Sequence, residues 1–364
     1  MPTRYPRFMA LAARLALVLA LILVGSFYAF AQEAGFPGRD AFLARAVFAA
    51  GELWLLSDTG ALFSITESAS GPVEITFPDP ALDLWVEDGQ PAVIACRRPD
   101  CAEWTLRRRD SAGDWLVTTK VATQGDPLVA VARTATSRIV LTGRRIIDAA
   151  GDIRILTNLS HPLREKPVAA THVTPASIFV GFNMGEWGGG LQRIDRWTGE
   201  VVSIERKETG EHCFKPLDSD CDPVNGIATA PWDPNCVVLA IGLVHFTPHG
   251  RIVEVCGDTV RRLYGRALGG PPVLGRDAPS PGEDPLPSEA FFGLTRQGNL
   301  LWAVGIDGIY QIGSDKIVRP GPLPTFKQFG AFSISFDLPH VVLVLTQINR
   351  RYSISGSVPI LVPR

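Results

Sequence analysis

The stretch SIFVGFNMGEWGGGLQRIDRWTGEVVSI, from Ser177 to Ile204, decides the fold. It opens as an apolar strand, breaks into a glycine-rich loop, resumes as a second strand and turns again at RWTGE. Glycine permits positive φ and close backbone approach, so Gly188–Gly190 predict a sharp turn that presents Glu186 and Trp187. The alternative is a plain hairpin turn in which Trp187 covers a neighbouring sheet.

The same succession of short strands and turns recurs along the chain, while helix-period patterns are nearly absent. Seven units can be marked, each with about 40–50 residues and about four strands, of which the second is the most apolar. A lone four-stranded sheet cannot bury both faces, whereas sheets packed radially around an axis can. The pattern predicts an all-β fold: one β-propeller domain over residues 32–364 with four-stranded antiparallel blades. Seven blades are favoured, and six or eight also fit.

A family resemblance lies within the opening stretch and is carried by Val180, Gly181, Gly185, Gly188, Gly189, Gly190, Leu191, Asp195, Thr198 and Gly199. These residues are similar to the two-component regulator propeller repeat, with its G-T-x-x-G-G-L-like turn followed by a strand and D-x-x-T-G. Leu300–Ile312 and Glu52–Ile65 are degenerate versions of it. Such repeats usually lie in sensor domains fused to a kinase, and no kinase sequence follows the last unit. The resemblance therefore implies the architecture and no signalling role.

The first residues follow the order of a secretory signal. Arg4, Arg7 and Arg14 precede or enter an apolar run, and the small residues Ala29 and Ala31 follow it. We predict a signal peptide over residues 1–31 and an exported protein, periplasmic or extracellular. The alternative is an uncleaved membrane anchor, although the apolar run is short for a span. No membrane span is expected after signal removal.

The charge of the chain argues against nucleic acid as a partner. Its 364 residues carry a net charge of −2, so there is no basic excess to neutralise a phosphate backbone. Hydrophobic residues make up 46% of the chain, which is enough for a packed core.

The six cysteines indicate disulfides, because an even count in an exported chain is typical of an oxidising compartment. Two apolar strands that share a midpoint in the turn VHFTPHG would bring one pair face to face. The pairs that the spacing favours are Cys96–Cys101, Cys213–Cys221 and Cys236–Cys256. Zinc ligation is the alternative, although no C-x-x-C pair occurs.

Polar loops on one face of the predicted ring supply the candidate binding residues. In a blade, the turn between the second and third strands opens on the same face as the connector to the next blade. Rigid loops on a β scaffold are a usual home for binding sites. The predicted ligand-binding residues on this face are Glu186, Trp187, Glu211, His212, Asn225, His245 and His249.

The connector sequence DSDCD places carboxylates at alternate positions, at Asp218, Asp220 and Asp222. Oxygen ligands at this spacing can hold calcium, which is the one cofactor that the sequence suggests. The distal glutamate of an EF-hand loop and its flanking helices are missing, so a solvated acidic turn is the alternative.

Two functional hypotheses follow from this face. The first is an exported scaffold that binds an unknown protein or a small-molecule ligand through the connector-face loops. The second is a metal-assisted lyase or hydrolase at the central channel, with Glu186, His212 and His245 as candidate catalytic residues. Convergence of these three side chains on one cavity would favour the enzyme. A periplasmic assembly factor would instead show a large apolar patch.

The segment 269–289 is the one long stretch without a strand pattern, and it joins the fifth and sixth units. Its proline content predicts an extended, irregular insertion. It is either a tolerated insertion or a flap over the channel mouth.

Overall fold

The computed structural model describes residues 43–66, 72–97, 100–134, 137–150, 153–205, 216–245, 247–268, 272–274, 287–322, 332–338, 341–346 and 359–363. Almost all of the regular structure in these residues is antiparallel β-strand, and the exception is a single 3-10 turn at Gly185–Trp187. The predicted signal peptide, residues 1–31, lies outside the described residues.

The first three blades have four strands each, and their order in each sheet is their order in the chain. Their bounds are β1 Leu43–Ala49, β2 Glu52–Ser57, β3 Leu62–Ile65, β4 Val73–Ile75, β5 Ala81–Glu87, β6 Gln90–Cys96, β7 Glu103–Arg109, β8 Trp115–Ala122, β9 Leu128–Arg133, β10 Arg138–Thr142, β11 Arg145–Ala150 and β12 Ile153–Asn158.

Three further blades have four, five and four strands, and a last sheet has three. Their bounds are β13 Val168–Val173, β14 Ser177–Phe182, β15 Leu191–Asp195, β16 Val201–Ile204, β17 Val224–Thr229, β18 Cys236–His245, β19 Thr247–Cys256, β20 Thr259–Arg266, β21 Pro272–Leu274, β22 Phe291–Gln297, β23 Leu300–Gly305, β24 Gly308–Ile312, β25 Val318–Pro322, β26 Phe332–Leu338, β27 Val341–Thr346 and β28 Pro359–Pro363.

The sheets are arranged as a closed ring with the first strand of each at the centre. Neighbouring blades contact one another through these strands: β1 contacts β5, β17 contacts β13 and β22, and β22 contacts β26. Because β26 also contacts β1, the sheet β26–β28 lies between the sixth blade and the first. The predicted all-β propeller with four-stranded antiparallel blades is confirmed. Within the described residues six sheets are complete blades, which is one of the predicted alternatives, and the favoured count of seven holds only if the three-stranded sheet is counted as a blade.

The second strand of each blade forms the centre of the core. In β6, β14 and β23 every residue after the first is buried. A strand with a neighbouring blade on each side has to be apolar on both faces. One core cluster joins Ile94 and Trp104 of the second blade to Val140 and Ile147 of the third. Packing between blades therefore buries what one sheet alone would leave in water.

Aromatic side chains fill the wedge between the first two blades. Trp54 is fully buried, and its Nε1 donates a hydrogen bond to the Ala49 carbonyl at 3.2 Å. Its ring meets Trp115 of the second blade edge to face, with centroids 5.9 Å apart. Phe77, on the connector between these blades, meets the same Trp115 with centroids 5.1 Å apart. Such edge-to-face pairs add to the stabilisation from burial alone.

Two of the three predicted disulfides are confirmed. Cys96 bonds to Cys101 with the Cα atoms 5.2 Å apart, and Cys236 bonds to Cys256 with the Cα atoms 4.4 Å apart. The second bond joins directly paired residues of β18 and β19, as the shared midpoint of the two strands predicts. Cys221 is also disulfide-bonded. Its predicted partner, Cys213, lies outside the described residues.

The segment 269–289, which the sequence predicts to be irregular, contributes a short fifth strand to the fifth blade. Pro272–Leu274 pair with the end of β20, and Ser288 bridges to Ala267. Residues 275–286 lie outside the described part of the chain. Within the described part of the chain, no helix has the length and apolarity to cross a membrane.

Replacing Trp54 tests the packing between blades. We expect Trp54→Ala to lower the free energy of unfolding by about 3–5 kcal/mol, because it leaves a cavity in a core that cannot close around it. The control is Trp197→Ala, since Trp197 is 68% exposed in the turn after β15. Chemical denaturation should show a change of at most about 0.5 kcal/mol for the control. Equal losses of unfolding free energy in the two variants would contradict the role of Trp54 in the packing between blades.

Candidate binding surface on the connector face

The turns between second and third strands and the connectors between blades share one face, which we call the connector face. In the fourth blade, the loop between β14 and β15 lies against the connector that leads to the fifth blade. The amide of Gly189 donates to the Ser219 carbonyl at 3.0 Å, and the amide of Gly190 donates to the Asp222 carbonyl at 2.8 Å. The glycine loop and the acidic connector are therefore adjacent, as the sequence predicts.

Glycine is required in this loop because the connector passes too close for a side chain. A Cβ at Gly188 would lie 2.3 Å from the Asp220 carbonyl carbon, and a Cβ at Gly190 would lie 2.6 Å from the Ser219 Cβ. The φ angles at these glycines are +77° and +84°, in the region that L side chains rarely adopt. Both constraints favour glycine, so the loop is held in one shape by its neighbour.

The glycines carry an exposed apolar group at the loop tip. Glu186 and Trp187 lie in the 3-10 turn, and Trp187 is 70% exposed, so it does not serve to cover the next blade. Met184, just before the turn, is 37% exposed. The turn contacts β18 of the fifth blade, where Val244 is 50% exposed. We call Met184, Trp187 and Val244, with Glu186 beside them, the Trp187 surface.

Asn225 lies beneath this surface and joins three blades. Its Nδ2 donates to the carbonyls of Gly242 at 2.7 Å and Phe291 at 2.9 Å, and its Oδ1 accepts from Asn183 Nδ2 at 2.6 Å. Asn225 is buried, and the hydrogen bonds of its side-chain amide connect the fourth, fifth and sixth blades. The structure therefore gives it a positioning role below the loops.

The remaining predicted ligand-binding and catalytic residues are only partly described. His249 is half-buried on β19, and its cross-strand partner is Leu243. His245 is the last residue of β18, and its side chain is outside the described set. Glu211 and His212 also lie outside the described residues. Of the three candidate catalytic residues, Glu186 alone has a described side chain, and it is exposed at the loop tip.

The three aspartates of the connector are engaged within the protein. Asp222 is fully buried, and its Oδ2 accepts from Arg251 Nη2 at 2.5 Å and from the Asp218 amide at 2.6 Å. Asp218 Oδ1 accepts from the Asp220 amide at 3.0 Å. The guanidinium of Arg251 already compensates the charge of Asp222, and calcium binding here stays a prediction.

Among the described residues, one group of three side chains lies close enough to share a metal ion. It consists of Asp233, Cys236 and Cys256. The two cysteines are bonded to each other, so they offer no thiolate to a metal.

One buried polar cluster on the connector face has no counterpart among the sequence-based predictions. Glu289, on the connector to the sixth blade, is fully buried, and its Oε1 accepts from the Asp307 amide at 3.2 Å. Glu289 Oε2 has no hydrogen-bond partner in the described part of the chain. Asp307 accepts from Arg266 Nη1 at 2.9 Å and from the hydroxyl of Tyr310.

The electrostatics of this cluster favour a neutral Glu289. Burial, together with the neighbouring Asp307, raises the pKa of Glu289 to about 8. Burial also raises the pKa of Tyr264 to about 12 and raises the pKa of Tyr310. Strongly shifted pKa values often mark functional sites, although structural clusters shift them as well. No local motif in SEAFF or GIDGIY signals the cluster, because its members are far apart in the chain.

Comparison with solved structures places the chain in the class of β-propellers. YCF48 bound to a D1 peptide has a TM-score of 0.53 and 10% identity, over 89% of this chain and 92% of that one. The BT4673 extracellular domain from B. thetaiotaomicron has a TM-score of 0.49 and 12% identity, over 89% of this chain and 39% of that one. BamB from Moraxella catarrhalis has a TM-score of 0.43 and 11% identity, over 87% and 81%.

Identities this low show a shared fold alone, and of these three scores only that of YCF48 exceeds 0.5. No protein-family model and no curated protein matches the sequence. The resemblance to the regulator repeat therefore holds at the level of architecture.

A matched pair of glycines tests the close approach of loop and connector. Gly188 and Gly51 have almost the same φ, +77° and +78°, but a Cβ at Gly51 meets nothing within 4 Å. Both alanine variants carry the cost of a positive φ, about 1 kcal/mol, and Gly188→Ala carries a further backbone cost because its ψ of −143° lies in a region that is essentially restricted to glycine. We expect Gly188→Ala to lower the free energy of unfolding by a further 1–3 kcal/mol or so, because backbone atoms of Ser219 and Asp220 have to move. Denaturation curves that coincide for the two variants would show that the contact is not tight.

The buried carboxyl predicts a loss of stability as the pH rises. An unfolded Glu289 releases its proton near its ordinary pKa of 4.5, while the folded protein keeps it up to a pKa of about 8. Between these values the unfolded chain binds fewer protons, so the free energy of unfolding falls with rising pH. Glu289→Gln should not show this fall, and the wild type should lose roughly 1–3 kcal/mol relative to it between about pH 5 and about pH 8.

The difference between the two proteins is the measured quantity, because other groups also titrate. Burial lowers the pKa of His172 to about 4, which destabilises the folded protein as the pH falls below the ordinary histidine range. Urea denaturation of both proteins at each pH removes this shared contribution. A constant difference across the range would mean that Glu289 is ionised in the folded protein.

Proposed function

We propose that this protein is an exported scaffold that binds a polypeptide partner on its connector face through the Trp187 surface. The observation that carries the proposal is a tryptophan left 70% exposed at the tip of a loop that glycine contacts hold in place. Burying an indole of this size in a partner's pocket is a common source of binding energy, and tryptophan is enriched among energetically dominant interface residues.

The rigidity of the loop supports this role. The amides of Gly189 and Gly190 are bonded to the connector, and the Asn183 side chain accepts from the Gly185 amide at 2.7 Å. A loop already held in its binding shape loses little conformational entropy when a partner docks. Exposure of Trp187 on a flexible loop would not offer this advantage.

The chemistry of the surface indicates the kind of partner. Met184, Trp187 and Val244 offer an apolar contact, so the partner segment carries an exposed apolar or aromatic side chain. Glu186 places a carboxylate at the edge, which favours a basic residue beside that side chain. YCF48 is solved with a D1 peptide bound, which supports a polypeptide as the ligand of a ring of this type.

Export is part of the proposal. Its support comes from the disulfides Cys96–Cys101 and Cys236–Cys256, which persist in oxidising compartments, and from the signal-like order of residues 1–31. The periplasm and the extracellular space both fit these observations.

A random peptide library displayed on phage tests the binding role. We expect selection on the folded protein to enrich peptides with an apolar or aromatic residue, and Trp187→Ala to weaken their binding at least about tenfold, or 1.4 kcal/mol. The control is Trp197→Ala, which removes an equally exposed tryptophan from the turn after β15 and should leave the affinity unchanged. Isothermal titration calorimetry with a synthetic copy of one enriched peptide measures the dissociation constant for the wild type and for each variant. Enriched peptides that bind both variants equally well would contradict the proposal.

A further inference from the structure

An acidic residue lies two positions before the first strand in four blades: Asp79 in the second, Asp126 in the third, Asp222 in the fifth and Glu289 in the sixth. Asp79 is only half-buried, whereas Asp222 and Glu289 are fully buried. Arg145 pairs with Asp126 at 2.9 Å in the third blade, and Arg251 pairs with Asp222 at 2.5 Å in the fifth. Each ion pair is largely buried and ties the connector to the third strand of its own blade.

In the sixth blade, glycine replaces this arginine. Arg251 lies on the row of cross-strand pairs that starts at the first residue of β17 and ends on β19. The same row in the sixth blade starts at Phe291, the first residue of β22, which pairs with Gly305. The β23–β24 register, in which Val304 pairs with Ile309, leads on from Gly305 to Gly308, the first residue of β24. Glu289 is therefore an acid at a position where two other blades supply a cation and this one does not.

The group that Glu289 meets instead is a second acid. Two neighbouring carboxyl groups cannot both ionise cheaply in a buried site, so one of them keeps a proton. Arg266 is paired with Asp307 and stabilises that carboxylate, which leaves the proton on Glu289. The titratable and charged groups around Glu289 are Asp307 and Tyr310 from the sixth blade, and Tyr264 and Arg266 from β20.

The connector that carries Glu289 also holds the β18–β19 hairpin. The Ser288 amide donates to the Pro248 carbonyl at 2.9 Å, and the Gly250 amide donates to Ser288 Oγ at 3.1 Å. Pro248 is the cross-strand partner of Val244, which belongs to the Trp187 surface. A short path of direct contacts therefore leads from Glu289 to the binding surface.

We propose that Glu289 keeps its proton beside Asp307, and that this proton holds the β18–β19 hairpin in the position that completes the Trp187 surface. The inference rests on the proposed function, because it assigns a regulation to that same surface. A base in the solvent takes the proton from the Glu289 carboxyl and leaves a buried carboxylate beside Asp307. The connector then moves toward water to hydrate this charge, the Ser288 bonds open, and the surface releases its partner.

Hydrogen exchange of the β18–β19 amides, corrected for intrinsic rates, measures the hairpin without any ligand. Above the pKa of the carboxyl, we expect protection in the wild type to fall with pH, by up to about tenfold per unit. Glu289→Gln should stay protected up to about pH 9, because its amide is neutral throughout. The control is Glu200→Gln, at an exposed glutamate of the fourth blade, which should behave as the wild type does. The same pH dependence in the wild type and Glu289→Gln would overturn the proposal.

A second variant keeps the test decisive if Glu289→Gln folds poorly. Asp307→Asn removes the like charge and releases Arg266, so the loss of protection should begin at a lower pH than in the wild type. If the pH of this transition does not change, the charge of Asp307 does not keep the proton on Glu289, and the proposal is overturned.

The enriched peptide provides the functional arm of the test. Its dissociation constant should rise at least about tenfold in the wild type over the pH range in which the hairpin loses protection, and should stay constant in Glu289→Gln. If no peptide depends on Trp187, the proposed function fails, and hydrogen exchange still decides whether the proton controls the hairpin. If a peptide binds through Trp187 with the same affinity at every pH, the proton control fails and the binding role stands.

Discussion

The structure depends on how closely each connector passes the turn between the second and third strands. The backbone bonds that mark this contact join Ala81 to Gly60, Leu163 to Gly143 and Asp222 to Gly190. A Cβ at Gly60 would lie 2.8 Å from the Cβ of Pro80, so a side chain at this turn would push the connector outward. The apolar faces of neighbouring blades can touch only if the connectors stay this close. The same contact fixes the loops that form the Trp187 surface, so one constraint serves both the core and the candidate site.

The connectors also determine how charge is distributed beneath that face. A buried ion pair gains little net stability over an apolar replacement, but removing one partner leaves a costly uncompensated charge. In the third and fifth blades the acidic residue of the connector forms an ion pair with an arginine, which compensates its charge. In the sixth blade, Gly308 stands on the row where the fifth blade has its arginine, and Glu289 avoids the cost by remaining neutral. The connectors of the third and fifth blades therefore hold ion pairs, whereas the connector of the sixth blade holds a protonated carboxyl, so its local structure depends on pH.

Much of this fold is readable from the sequence, because strand periodicity and turn residues report on local structure. The Cys236–Cys256 bond could be predicted because two strands of equal length around one turn fix their own register. The burial and the positioning role of Asn225 could not be predicted, because they depend on where the sixth blade lies. The same holds for Asp222, whose partner Arg251 is brought to it by the register of β18 and β19. Contacts within a hairpin follow from spacing, whereas contacts between a connector and a distant strand require the closed ring.

The two disulfides whose cysteines are both described share one property: each lies within a single blade. Cys96–Cys101 links the end of β6 to the loop before β7 in the second blade, and Cys236–Cys256 links consecutive strands of the fifth. Neither bond crosses the seam where β26 meets β1, which non-covalent contacts close. A pulling force applied to two different blades would therefore first load side-chain packing and backbone contacts at a seam. Individual blades would separate as stiff units before either of these covalent links came under tension.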